Sequence, residues 1–308
     1  MVNRWTPRTF QCTIPATSMQ IAIFATINRP HAVEITRSTV AWLTQRGHQV
    51  RLTPSLALVT DNLRCAVPEE EVVHGVDFAI SIGGDGTMLA SVRIASPFRV
   101  PVLGVNAGAL GFLTEVTPDQ LIACLPRVLD GEYAVEERTM LRTMLMRDDG
   151  VIDESIALNE IVVRQGAQGR LINLDVYVAG HRLGYFGADG LILSSPTGST
   201  AYGLSAGGPI VHPGTSVLLL VPICPHSLSF RPMVIPTTDP VEIICESNQH
   251  GDEMLVIADG QDPVTAQMGD KVIVRPADEP GRLIKLGLFS YYERLRDKLH
   301  WGGDNIKR

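Results

Sequence analysis

The sequence contains no Gly-Lys pair, which excludes the phosphate-binding loop that ends in Gly-Lys-Ser/Thr. It also lacks the dinucleotide fingerprint: counted from Gly84 and Gly86, the place of the third glycine is taken by Leu89. The five cysteines (Cys12, Cys65, Cys124, Cys224, Cys245) are odd in number and make no Cys-x-x-Cys pair. That argues against a disulfide framework or a zinc site and reads as reduced, cytoplasmic usage. The eight histidines show no metal-ligand spacing, and no metal ligand is assigned to any side chain. No apolar run is long enough to span a bilayer; the densest, residues 217–221, stops at Pro222. Lys and Arg number 26 against 33 acids, a formal charge of −7, which speaks against a nucleic-acid partner held on a basic surface.

What remains is an ordinary globular composition, 45% hydrophobic and 19% charged, over 308 residues, enough for two domains. Residues 1–18 have Arg4, Arg8 and several threonines but no acid, and are expected to be a disordered, dispensable extension, because Met19-Gln20-Ile21-Ala22-Ile23-Phe24 begins a strand cleanly. From there strand and helix alternate. Strands are expected at 21–24, 49–53 and 100–105, with a helix over 31–46 stopped by Gly47. Thr117-Pro118-Asp119-Gln120 is a helix start with Thr as N-cap, Pro at the first position and Gln at the third, and that helix ends near Asp130-Gly131. Residues 19–133 therefore read as an α/β domain with a doubly wound, mostly parallel sheet. From Tyr133 the pattern changes to strands separated by turns such as Asp148-Asp149-Gly150 and Ala179-Gly180-His181, so residues 134–286 read as β-rich. Residues 287–308 hold a last helix, over 291–301, expected to return to the first domain.

The chain is organised around Phe78-Ala79-Ile80-Ser81-Ile82-Gly83-Gly84-Asp85-Gly86-Thr87. The apolar run suits a strand buried on both faces, and the glycines that break it let a ligand approach the backbone with no Cβ in the way. Ligands of open α/β sheets sit at the carboxyl ends of strands, which puts Asp85 at the site. A helix opening at Thr87 would turn N–H groups toward a phosphate. A polyphosphate bound by so acidic a chain needs its charge met by Mg²⁺ and backbone N–H groups. Read alone, the same turn also suits an Asp that merely caps the next helix.

Further constellations follow. Gly104-Val105-Asn106-Ala107-Gly108-Ala109-Leu110-Gly111-Phe112-Leu113 leaves the next strand, with Phe112 suited to lie against a base or in the core. Asn159-Glu160 sets donor and acceptor side by side before the apolar Ile161-Val162-Val163, a match for the vicinal hydroxyls of a ribose, although a turn Asn and a solvated Glu give the same pattern. Gly187-Ala188-Asp189-Gly190 leads through a short strand into Ser194-Ser195-Pro196-Thr197-Gly198-Ser199-Thr200-Ala201-Tyr202, where small hydroxyls supply hydrogen bonds and Tyr202 a flat face. No Gly-x-Ser-x-Gly elbow or placed His supports a serine nucleophile.

Together, Gly83-Gly84-Asp85-Gly86-Thr87, the 104–114 loop, Asn159-Glu160, the segment from Asp189-Gly190 to Pro213, Pro225-His226-Ser227-Leu228 and Asp259-Gly260-Gln261 occur in the order expected of a bacterial-type NAD kinase, which the chain resembles over about residues 20–300. The resemblance implies an α/β N-terminal domain, a β-sandwich-like C-terminal domain, an active site in the cleft between them, and homodimers or homotetramers. It implies Asp85 as the catalytic acid. It further implies Gly84, Gly86, Thr87, Asn106, Phe112 and Leu113 at the nucleotide, Asn159 and Glu160 at ribose, and Arg170, Gly187, Asp189, Thr200, Ala201, Tyr202, Gly203, Leu204, Ser205 and Gln261 at the dinucleotide. Gly187 departs from relatives that carry a long basic side chain, which is expected to relax the choice between NAD⁺ and NADH.

The implied reaction moves the γ-phosphoryl of ATP, or of polyphosphate, to the 2′-hydroxyl of the adenosine ribose of NAD, with Mg²⁺. Asp85 then serves either as general base or as an acid orienting phosphate and metal. Two alternatives share features of the sequence. A lipid kinase of the diacylglycerol or sphingosine type has the same Gly-Gly-Asp-Gly turn but calls for an acyl pocket or a basic amphipathic helix, and no such helix is found. A non-catalytic NAD(P) sensor is opposed by the intact Asp85.

Overall fold

The computed structural model describes residues 18–108, 111–166, 171–227, 229–246 and 254–301. The expectations for residues 1–17 and for Arg170 lie outside the described residues. The chain divides into two compact units, one running to Glu136 and resuming at Arg282, the other Glu137–Gly281.

The elements run β1 (Gln20–Ala25), α1 (Pro30–Gln45), β2 (Gln49–Leu52), α2 (Pro54–Val59), β3 (Phe78–Gly83), α3 (Asp85–Ala95), β4 (Val102–Asn106), α4 (Pro118–Leu129) and β5 (Ala134–Arg138). There follow β6 (Leu141–Arg147), β7 (Gly150–Ala157), β8 (Glu160–Gln165), β9 (Ile172–Val178), β10 (His181–Ala188), β11 (Gly190–Ser194), α5 (Tyr202–Ser205), β12 (Val217–Ile223), β13 (Met233–Pro236), β14 (Val241–Glu246), β15 (Met254–Ala258), β16 (Val264–Ala266) and β17 (Lys271–Pro276). β18 (Gly281–Lys285) and α6 (Tyr291–Leu299) close the chain.

In the first unit the sheet order is β2-β1-β3-β4-β18-β5, with β1, β2, β3, β4 and β18 joined by parallel pairings. Every residue of β3 and β4 is buried, as a continuous apolar run in a covered parallel sheet requires. The helices bury one stripe each. That of α1 runs through Ala32, Ile35, Thr36, Thr39, Val40 and Leu43. The two threonines enter it because their hydroxyls bond back to the carbonyls of Ala32 and Ile35, at 2.7 Å each. At the start of α4, Gln120 accepts the Thr117 N–H at 3.1 Å, the cap expected from sequence. β18 adds a fifth parallel member from the far end of the chain, which no local pattern announced.

The second unit is two six-stranded antiparallel sheets, ordered β10-β9-β14-β17-β6-β7 and β13-β12-β11-β8-β15-β16. Period-2 burial in β6, β14 and β17 turns one face inward, where Leu145, Ile243 and Val272 share a core with Val163, Leu193 and Leu220 of the other sheet. The strands β8, β11 and β12 are buried on their second face too. There Val162, Ile192, Leu219 and Val221 pack under Ala206 and Val211 of the hydroxyl-rich segment. No helix of the described residues is long and apolar enough to cross a membrane.

Candidate active site

In the first unit the site begins where β3 ends. Gly83 is glycine because a Cβ there would lie 2.2 Å from the Thr87 hydroxyl oxygen. Gly84 and Gly86 differ: a Cβ at either meets nothing within 4 Å, so no protein group demands their lack of a side chain. They leave free space on both sides of Asp85. α3 starts at Asp85 rather than at Thr87, with Gly84 as N-cap and the Met88 N–H on the Gly84 carbonyl at 3.1 Å. The carboxylate thus sits in the first turn, where the helix dipole favours negative charge.

Asp85 is half-buried. Its Oδ2 accepts the Phe112 N–H at 2.9 Å and its Oδ1 the Leu113 N–H at 3.0 Å. Each oxygen therefore keeps lone-pair capacity for another partner. A Cβ on Gly111 would come within 2.3 Å of Asp85 Oδ1, so the loop approaches the carboxylate as closely as glycine allows. Leu113 contributes its N–H here, while its side chain is buried. Asn106 ends β4 and turns its Oδ1 to the Gly108 N–H at 3.1 Å, holding the loop's first turn.

In the second unit the centre is Asn159-Glu160, at the junction of β7 and β8. One carboxylate organises both residues: Asp259 accepts the N–H groups of Leu158 and Asn159 at 2.8 Å and of Glu160 at 3.2 Å. On the other side, the Ser195 N–H donates to the Asn159 carbonyl at 2.8 Å and the Ser195 hydroxyl donates to the Leu158 carbonyl. Ser194, Ser195 and Ser199 are fully buried, and their hydroxyls donate to backbone carbonyls. They build the turn.

Glu160 is buried, and its Oε2 has no hydrogen-bond partner. Burial, with the charge of Asp259 added, pushes its carboxyl up to about 8, against the smaller opposing effect of the Tyr202 backbone N–H that it accepts. Tyr202 opens α5, its backbone reaches the Glu160 carboxyl, and the residue as a whole is 40% exposed. Gly203 lies buried against the Ser194–Gly198 turn; Gln261 is exposed, its side-chain amide donating to the Asp259 carbonyl at 3.4 Å.

Not every expected residue gathers at this pair. Glu160 pairs with Ser194 across β8 and β11, whereas Asp189 precedes the opposite end of β11, about 13 Å away along the strand. There the Asp189 N–H donates to the Ile223 carbonyl, and Gly187 takes the His226 N–H on its carbonyl, both at 3.0 Å. The space a side chain at Gly187 would occupy is held by Leu171, whose Cδ2 lies 2.6 Å from the position of a Cβ. Asp259 was not among the residues expected in the site. Its place in Asp259-Gly260-Gln261 was the available signal, but its role in fixing Asn159-Glu160 depends on a contact 100 residues away.

Residues 21–133 match the ATP-NAD kinase N-terminal domain family and residues 158–286 the ATP-NAD kinase C-terminal domain family. The chain is 39% identical over 285 residues to an NAD kinase of Geotalea daltonii, covering 92% of this chain and 99% of that one. It is 42% identical over 277 residues to an NAD kinase of Heliobacterium modesticaldum, covering 89% and 96%. Among solved structures it is similar to yeast NADH kinase complexed with NADH, with TM-score 0.85, 27% identity and 94% and 90% of the two chains covered. An NAD kinase from Archaeoglobus fulgidus in complex with ATP gives TM-score 0.69 and 26% identity over 92% and 98%.

Proposed function

Because the chain belongs to the NAD kinase family, we propose that it moves the γ-phosphoryl of ATP to the 2′-hydroxyl of the adenosine ribose of NAD, with Asp85 taking the hydroxyl proton. In that step the O–H bond breaks toward the Asp85 carboxylate, the freed oxygen bonds the γ-phosphorus, and the bridging oxygen leaves on ADP. Phosphoryl transfer asks the protein chiefly for position and charge neutralisation. The observation that carries the reading is Asp85 itself: a carboxylate fixed by two backbone N–H groups, with lone pairs to spare, between two glycines that open onto free space.

Asn159 and Glu160 are proposed to hold a ribose of the dinucleotide and Tyr202 to lie against a base. A buried carboxyl held toward its protonated form and an adjacent amide offer both donor and acceptor to a diol. Gly84, Gly86 and the first turn of α3 are proposed to face phosphate. Among the described residues no group of three or more His, Cys, Asp or Glu is placed to hold a metal ion. Mg²⁺ is proposed to be carried by the substrate's phosphates, with Asp85 the candidate carboxylate for it, since Mg²⁺ takes one or two carboxylates and keeps its remaining ligands from phosphate and water. When bound, Mg²⁺ supplies neutralisation of charge on the transferred group. A cytoplasmic setting suits the free cysteines Cys65, Cys124, Cys224 and Cys245. A homodimer or homotetramer suits the exposed apolar side chains of Tyr185, Met233 and Val234 on the edge strands β10 and β13.

Incubation of the purified protein with NAD, ATP and Mg²⁺, followed by an NADP-specific dehydrogenase assay, tests the proposal. NADP formation proportional to enzyme is expected. Its absence with both ATP and inorganic polyphosphate as donor would overturn the reading.

A further inference from the structure

The peptide groups that hold Asp85 are themselves held from behind. The Gly111 carbonyl and the Phe112 N–H belong to one peptide unit, the Phe112 carbonyl and the Leu113 N–H to the next. In a trans peptide, carbonyl and N–H point in opposite directions. Both N–H groups donate to Asp85. Both carbonyls lie 3.4 Å from Nη1 of Arg294 in α6, which shares its two N–H groups among them and the Thr114 carbonyl. Two peptide units therefore lie between a carboxylate and a guanidinium, each with its dipole aligned from one to the other.

Arg294 is 5% exposed and cannot be there at no cost. Its charge is answered by Glu115, 2% exposed, whose Oε2 lies 3.7 Å from Arg294 Nη2 and 3.1 Å from Lys285 Nζ, and whose Oε1 accepts the Leu286 N–H at 3.0 Å. Glu115 continues the same loop, so both ends of the segment behind Asp85 are tied to the chain's last strand and helix. A planar fork with several donors suits this task, since one cation must reach several carbonyls and a carboxylate together. α6 is fixed in turn by its cap, where Ser290 and Glu293 exchange hydrogen bonds at 2.9 and 3.2 Å.

We propose that Arg294 is a positioning residue for Asp85: by anchoring the carbonyls of Gly111 and Phe112 it aims the Phe112 and Leu113 N–H groups that set the carboxylate's orientation. The inference rests on the role proposed for Asp85. It predicts a defect in turnover that passes through Asp85 and spares substrate binding.

The test is a double-mutant cycle of Arg294→Met with Asp85→Asn, reading kcat and both KM values at fixed pH, with thermal unfolding alongside. Arg294→Met is expected to lower kcat by ~10–100-fold, the scale of a small misplacement of a catalytic group, with KM for NAD and ATP within twofold. In the Asp85→Asn background the same substitution should cost less than twofold, because nothing remains to be aimed. Arg294→Lys, which keeps the charge but not the fork, should fall between. It carries the cycle in place of Arg294→Met if the latter does not fold. Unchanged kcat in a folded Arg294 variant, or an equal loss in both backgrounds, overturns the proposal while leaving Asp85 in its role. Near-normal turnover of Asp85→Asn alone instead removes Asp85 from the chemistry, and the premise fails first.

Discussion

The carboxylate of Asp259 accepts the backbone N–H of Glu160 at 3.2 Å while its charge bears on Glu160's own carboxyl. One acid thus builds the turn that presents the other, and its charge adds to the burial that raises the other's pKa. The folded-state value of Glu160, about 8, stands above the ordinary 4.5. Between these values the native state holds a proton that the unfolded chain releases, so this group's effect on stability worsens as pH rises from about 4.5 and levels off above about 8. Glu160→Gln removes that dependence. Chemical denaturation at a series of pH values should show the variant gaining on the parent toward pH 9, by on the order of a few kcal/mol. Parallel curves for the two proteins would contradict this.

Asp259 itself is expected to matter more for stability than for chemistry. Asp259→Ala strands three N–H groups at a buried turn, which should cost about 3 kcal/mol or more. Asp259→Asn keeps the shape and one acceptor oxygen, so it should cost less. In the folded Asn variant KM for NAD is expected to rise several-fold with kcat nearly constant, because Asn159-Glu160 is displaced and Asp85 is not. Steady-state kinetics with NAD varied at saturating ATP checks this; a fall in kcat with unchanged KM would be the opposite of what the geometry implies.

Gly187 bears on the choice between NAD⁺ and NADH. A side chain there must first move Leu171, whose end occupies the place of the Cβ, a shift a flexible leucine tip can make. Gly187→Arg would bring a positive charge to the C-terminal end of β10, and of the two dinucleotides only NAD⁺ carries a cationic nicotinamide. The ratio of kcat/KM for NADH to that for NAD⁺ is expected to change by at least threefold. Equal NADH rates for variant and parent would count against any part for Gly187 in that discrimination.

The parts of this fold and site that were legible in sequence are those written in short stretches. Phe78-Ala79-Ile80-Ser81-Ile82 reads as a buried strand because parallel strands are apolar on both faces, and the glycines after it mark its exit. Thr117 and Gln120 announce a helix start because a cap needs only four residues. What stayed hidden depends on contacts between distant residues. Arg294 reads as one more charge on a polar helix until its carbonyl partners, 180 and more residues away, are seen. Thr36 and Thr39 sit in the buried stripe of α1, which an apolar pattern alone does not mark, because their hydroxyls bond to backbone carbonyls. In the last helix Tyr292 is 69% exposed, and the buried members are Arg294 and Leu295, a charge where an apolar pattern looks for a hydrophobe.

The central claim is that Asp85 takes part in the chemistry, and Asp85→Asn tests it most directly. The substitution keeps size and shape, so the protein should fold and bind NAD as the parent does, by calorimetric titration. Turnover in the NADP-forming assay should fall at least ~100-fold, the usual scale for loss of a general base. Turnover within a few-fold of the parent, in a variant that still binds NAD, would contradict the account.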